Sequence, residues 1–158
     1  MKPSSKILLW VALLLVFVVA AFIFLRQPQV SDQAQIGQQL ELARAAGERQ
    51  DTRGVMSIIS ADYHDANVPS PVQLRFLLNK VRGSQTVKIT QSLPVISVSG
   101  DTATSTSHLE VVSQSENRTL YSHDIVAQWK REDTNRFLII PSKTWHIVSA
   151  DYGSFGFE

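Results

Sequence analysis

From Ile7 to Leu25 the chain carries no charged residue, and apolar side chains follow one another without a polar break. At about 1.5 Å rise per residue this run makes a helix about 28 Å long, close to the roughly 30 Å hydrocarbon core of a bilayer. It predicts a transmembrane helix. Lys2 and Lys6 before it and Arg26 after it can reach head-group phosphates, and Trp10 falls near the first interface. The competing reading is a cleaved secretory signal, with Val19-Ala20-Ala21 as small residues for a peptidase. Signal cores are about 7 to 15 residues long, whereas this run continues through Phe22, Ile23, Phe24 and Leu25. Lys2, Lys6 and the amino terminus outweigh Arg26, which predicts an inner (cell) membrane protein with a cytoplasmic N-terminus and a periplasmic C-terminal domain.

Past Arg26 the pattern becomes amphipathic. Residues 27 to 30 form a short linker with a reach of roughly 20 Å at most, which keeps the C-terminal domain close to the bilayer. Ser31 is a predicted N-cap for a helix running to about Arg49, with Ile36, Leu40, Ala43 and Gly47 on one narrow stripe. Asp51 is expected to cap a short second helix carrying Val55, Ile58 and Ile59 and ending near Asp62-Tyr63. A third helix has the clearest punctuation: Ser70 as N-cap, Pro71 at the first helical position, Gln73 completing a capping box and Gly83 past the end. Leu74, Leu77, Leu78 and Val81 form its expected apolar face.

After Gly83 the period changes from helical to alternating. β-branched residues predict strands at about 86 to 92, 94 to 99, 102 to 113, 118 to 131 and 136 to 150. Gly100-Asp101, Ser115-Glu116-Asn117 and Asp133-Thr134-Asn135 read as the turns between them. In the fourth strand Tyr121, His123, Ile125, Ala127 and Trp129 share a dry face, and Ser122, Asp124, Val126, Gln128 and Lys130 share a wet one. In the last, Trp145, Ile147 and Ser149 alternate with His146, Val148 and Ala150. Helices first and strands afterwards predict an α+β domain, an antiparallel sheet covered by three helices on one side.

Composition narrows the function. About 130 residues beyond the anchor suffice for one domain. Of fifteen Lys plus Arg, Lys2 and Lys6 precede the apolar run, leaving thirteen against fourteen Asp plus Glu. That near-neutral, scattered charge argues against nucleic acid as a partner. The absence of Cys excludes disulfides and thiolate chemistry.

The short second helix ending in Asp62-Tyr63, the capped third helix, the hairpin Val98-Ser99-Gly100-Asp101-Thr102-Ala103 and the closing Trp145-His146-Ile147-Val148 occur in a familiar order. Over residues 31 to 152 they resemble the nuclear transport factor 2-like superfamily, including its SnoaL-like members. The resemblance implies a cone of three helices wrapped by a curved antiparallel sheet, often with an apolar pocket and often dimeric. It implies isomerases, dehydratases and polyketide cyclases on one side, and non-enzymatic periplasmic domains that scaffold membrane assemblies on the other. Residues 1 to 26 would then be N-terminus and anchor, 27 to 30 linker, 31 to 152 the domain and 153 to 158 a tail bearing Phe155 and Phe157.

Proton abstraction beside a carbonyl needs a base of near-neutral pKa and a donor for the enolate oxygen. His123, flanked by Tyr121, is the candidate base, with Tyr63 or Asp62 as neighbours across the cone. The pocket-lining candidates are Tyr63, Tyr121, His123, Trp129 and Trp145. Each also fits a plain core position with a satisfied polar tip. His64-Asp65 and His123-Asp124 are adjacent pairs that point to opposite strand faces, so no metal site and no cofactor is expected. The expected partners are the membrane, other integral membrane proteins and a second copy of the chain. These expectations add up to a membrane-anchored accessory or scaffolding subunit; the alternative is a small-molecule lyase or isomerase, or a ligand carrier.

Overall fold

The computed structural model describes residues 14–16, 30–68, 70–81, 83, 86–136 and 140–153. The chain divides into two compact units, Met1–Val30 and Ser31–Glu158. In the first, residues 14–16 are helical. Among the described residues no helix is long and apolar enough to cross a membrane. The remainder of the expected span Ile7–Leu25, linker residues 27–29 and tail residues 154–158 lie outside the described residues.

The second unit opens with helix α1, Asp32–Glu48, whose first turn is closed by Ser31 Oγ accepting the Ala34 N–H at 3.2 Å. Its apolar stripe buries Ile36 and Ala46 and brings Leu40 and Ala43 against the core. Helix α2 spans Thr52–Met56, far shorter than the expected run to Asp62-Tyr63. Asp51 occupies its N-cap position without a side-chain capping bond. The chain leaves the helix because Ile58, Ile59 and Ser60 pair with the outer edge of the last strand: the Ile147 N–H donates to the Ile58 carbonyl at 2.8 Å and the Ser60 N–H to the Ile147 carbonyl at 2.9 Å. β-branched Ile58 and Ile59 suit that extended path. Helix α3, Pro71–Val81, starts as expected, with the Gln73 N–H donating to Ser70 Oγ at 3.3 Å. Leu74 and Leu78 turn inward, but Leu77 faces solvent, so the apolar face is narrower than the sequence suggests.

Five antiparallel strands follow: β1 Val87–Gln91, β2 Val95–Ser99, β3 Thr102–Ser113, β4 Arg118–Arg136 and β5 Ile140–Asp151. β1 and β2 are two halves of one broken edge, pairing with opposite ends of β3, and β4 and β5 complete the order β1-β3-β4-β5. The β4–β5 register runs as far as Arg136 opposite Ile140. Asp133-Thr134-Asn135, expected as the turn, are therefore strand, paired with Lys143-Ser142-Pro141. Two bulges break the ladder: Leu120 is the extra residue where β3 meets β4, and Val148 where β4 meets β5. Bulges increase local twist and bend. The second changes which residues of β5 face inward, so Trp145 and Ile147 are followed on the core side by Ala150 and Tyr152 rather than by Ser149.

Trp129 and Trp145, 1% and 0% exposed, form the middle of the core with Ile36, Ile58, Tyr63, Val68 and Ile147. Each indole N–H is satisfied, Trp129 by Ser105 Oγ at 2.8 Å and Trp145 by Asp32 Oδ1 at 3.1 Å. The free edge of β1 is capped at Ile89 from the helix side. Arg44 Nη1 donates to the Ile89 carbonyl at 3.0 Å while Glu48 Oε1 accepts the Ile89 N–H at 3.0 Å. This ion pair supplies the donor and acceptor that another strand would have offered, which blunts an edge otherwise open to aggregation.

Candidate functional site

Tyr63 lies in the loop after α2 and is 3% exposed. Its hydroxyl donates to Asp65 Oδ2. Asp65 is a node: Oδ1 accepts the N–H groups of Asn67 at 2.6 Å and Val68 at 2.5 Å, and the Tyr152 hydroxyl at 3.4 Å. An Asp whose oxygen accepts the amide two residues on is an Asx turn, which shapes this loop without secondary structure. Tyr121, near the start of β4 and buried, donates its hydroxyl to the Tyr152 carbonyl at 2.5 Å. Burial pushes the Tyr63 phenol far above its ordinary value, reinforced by the hydrogen bond to Asp65 and by its charge. Burial and the Asp65 charge push Tyr152 up to about 12. Burial, with the charge of Asp151, also raises Tyr121. Three phenols thus stay protonated and donate inward.

The structure brings Tyr63, Trp129 and Trp145 into one packed cluster and puts Tyr121 at its rim. His123 is not in it. The sequence places it on the dry face of β4, but the ring is exposed, 5.3 Å centroid to centroid from Tyr121 and beside Gly153. The reason lies in the register: β5 pairs with β4 only from Val126 onward, so the stretch holding His123 runs past the cover. Asp62, expected as a neighbour across the cone, is exposed as well, with its carbonyl 3.1 Å from the His64 ring. His123 thus lies beside Tyr121, whose hydroxyl is committed to the Tyr152 carbonyl, and outside the buried cluster that holds Tyr63.

A constellation that residue spacing does not announce lies on the outer sheet face. His108 Nδ1 is 2.8 Å from Asp124 Oδ1, and His108 Nε2 is 3.1 Å from Ser122 Oγ. That is the connectivity of a Ser-His-Asp relay. Only the β3–β4 register, in which His108 stands opposite Asp124, could have revealed it. The relay sits on an open sheet, with His108 and Asp124 both largely exposed. Strand N–H groups lie in the plane of the sheet, so none rises above Ser122 to hold an oxyanion, and Glu110 opposite Ser122 adds like charge there. A second polar cluster joins Ser60, Glu132 and His146: Ser60 Oγ donates to Glu132 Oε1 at 2.5 Å, and His146 Nδ1 is 3.2 Å from Glu132 Oε2, outside hydrogen-bond alignment. Among the described residues no group of three His, Asp or Glu is placed to hold a metal ion.

An open groove of about 580 Å³ lies between α2 and α3, lined by Asp51, Thr52, Arg53, Met56, Ser57, Arg75 and Asn79. Thr52 Oγ1 donates to Asn79 Oδ1 at 2.9 Å across it. Its lining is polar, and none of the five pocket candidates reaches it.

No protein-family model matches the chain, and none of the curated proteins matches it. Solved structures do. A nuclear transport factor 2-like protein of unknown function from Pseudomonas putida shares 11% identity over 75% of this chain and 82% of that one, with a TM-score of 0.62. The CaMKII hub of S. rosetta shares 13% identity over 78% and 96%, with a TM-score of 0.61. A candidate aromatic ring hydroxylase from Novosphingobium aromaticivorans shares 13% over 78% and 89%, with a TM-score of 0.60. The domain therefore has the nuclear transport factor 2-like α+β fold with a curved antiparallel sheet. Identities of this size carry the fold and nothing finer.

Proposed function

We propose that this chain is a single-pass membrane protein whose nuclear transport factor 2-like domain, on the periplasmic side, acts as a non-catalytic accessory or scaffolding subunit of a membrane complex. The observation that carries the reading is the engagement of every prospective catalytic donor in structure. The Tyr63 and Tyr121 hydroxyls are held by Asp65 and the Tyr152 carbonyl, and His123 is exposed, outside the cluster that holds Tyr63. The uncharged run Ile7–Leu25 supplies the anchor. A tethered domain meets its neighbours at high effective concentration because all are confined to one membrane. One fold neighbour is itself named a hub.

The test is extraction of the full chain in a mild detergent followed by native electrophoresis. Comigration with larger membrane proteins is expected. Recovery only as a monomer or homodimer overturns the reading. The enzyme alternative, with His123 as base and Tyr63 or Tyr121 as donor, requires that His123→Ala abolish turnover of a small apolar substrate while the fold survives.

A further inference from the structure

We propose that the outer face of α3 rests on an anionic phospholipid surface. Successive residues of a helix turn by about 100°, so Phe76 stands opposite the face formed by Leu74, which packs against the core, and half-buried Leu78. It is 68% exposed, and Val72, one turn before it, is 77% exposed. Arg75 and Lys80 lie to either side of this apolar tip, both exposed, and α3 has no acidic residue. Arg53 lines the adjoining groove with Arg75; Asp51 is the acid among the residues that line it. An apolar ridge flanked by cations on long stems is the arrangement that lets rings enter the acyl boundary while charges stay with phosphates. A protein groove would be satisfied by the ridge alone; the flanking cations without acids select an anionic surface. The four residues between Arg26 and Ser31 leave the domain within roughly 20 Å of the end of the proposed anchor. In this last respect the inference rests on the anchored reading.

The chain has no cysteine, so a single introduced thiol reports one place. Gln73→Cys, exposed beside the ridge, and Leu93→Cys, 93% exposed at the break between β1 and β2, each receive a polarity-sensitive fluorophore. The full chain is reconstituted in nanodiscs of phosphatidylcholine alone or mixed with phosphatidylglycerol, with and without brominated acyl chains. A blue shift and bromine quenching are expected at position 73 in the anionic discs, with neither at position 93. Phe76→Ser and the double variant Arg75→Glu/Lys80→Glu should each abolish both signals. An unresponsive position 73 in a chain that stays with the discs overturns the inference and leaves the anchor standing. So does an equal response at both positions, or a response that appears only when other membrane proteins are added. A chain that leaves the discs on gel filtration defeats the anchored reading instead; α3 is then judged by whether the released chain sediments with phosphatidylglycerol vesicles.

Discussion

A single carboxylate organises the loop between α2 and α3. Asp65 accepts the Tyr63 hydroxyl, the Tyr152 hydroxyl and two backbone N–H groups, so its removal strands donors of which those of Tyr63 and Val68 belong to buried residues. Asp65→Ala should cost about 2–4 kcal/mol in urea unfolding, because buried donors lose a charged acceptor, and Asp65→Asn should cost less. An unchanged midpoint for the alanine variant would show that the node is decorative. The phenols it holds give a second readout. Their folded values lie above the ordinary 10.0, so the folded state keeps protons that the unfolded state releases. The stability they contribute is complete below pH 10 and is lost as pH rises toward about 12, the value for Tyr152, with Tyr63 holding on further. An absorbance titration of folded protein should show tyrosinate appearing later than in denaturant. Coincident curves would refute the buried donors. At this scale the sequence showed that Tyr63 was a candidate but not what it touched, since Tyr63 and Tyr152 stand far apart in the chain and are joined through Asp65.

Elements were more legible than contacts, and the misses have physical causes. The Ser70-Pro71-Gln73 punctuation placed the start of α3 because caps are local, and alternation along β4 placed Tyr121, Ala127 and Trp129 inward for the same reason. His123 obeyed the alternation and still met solvent, because alternation names a face and not whether another element covers it. The bulge at Val148 has no signal in the sequence of one strand, since an unpaired residue depends on two strands at once. Two glycines show how far element packing depends on small residues. A Cβ on Gly47 would lie 2.8 Å from Ile89 Cδ1, the movable end of a side chain. A Cβ on Gly54 would lie 2.7 Å from the Ala46 Cβ and 2.8 Å from Asp51 Oδ2, where α1 and α2 touch. Alanine gains about 1 kcal/mol of helix propensity at either place. Gly47→Ala should therefore be close to neutral in thermal unfolding. Gly54→Ala should be net destabilising by about 1–2 kcal/mol, because Ala46 cannot step aside by rotation. Equal effects would mean that the α1–α2 approach is looser than these distances imply.

For the whole molecule the decisive feature is that residues from Ser31 onward form a compact unit with a core of their own, built around Trp129 and Trp145. A domain of about 130 residues buries enough apolar surface to fold as one cooperative piece. Its edges are covered in part from within, β1 at Ile89 by Arg44 and Glu48 and β5 at Ile147 by the Ile58–Ser60 segment. The run Ile7–Leu25, proposed as the anchor, carries no charge, and apolar side chains in such a row are best solvated by lipid. A chain beginning at Ser31 should accordingly stay in solution without detergent and unfold in a single urea transition. The full chain should remain with membranes through a high-pH wash that strips peripheral proteins. Aggregation of the shortened chain would mean that its edges or the Phe76 ridge require cover the domain lacks. Release of the full chain by the wash would overturn the proposed anchor, and with it the confinement on which the proposed accessory role rests.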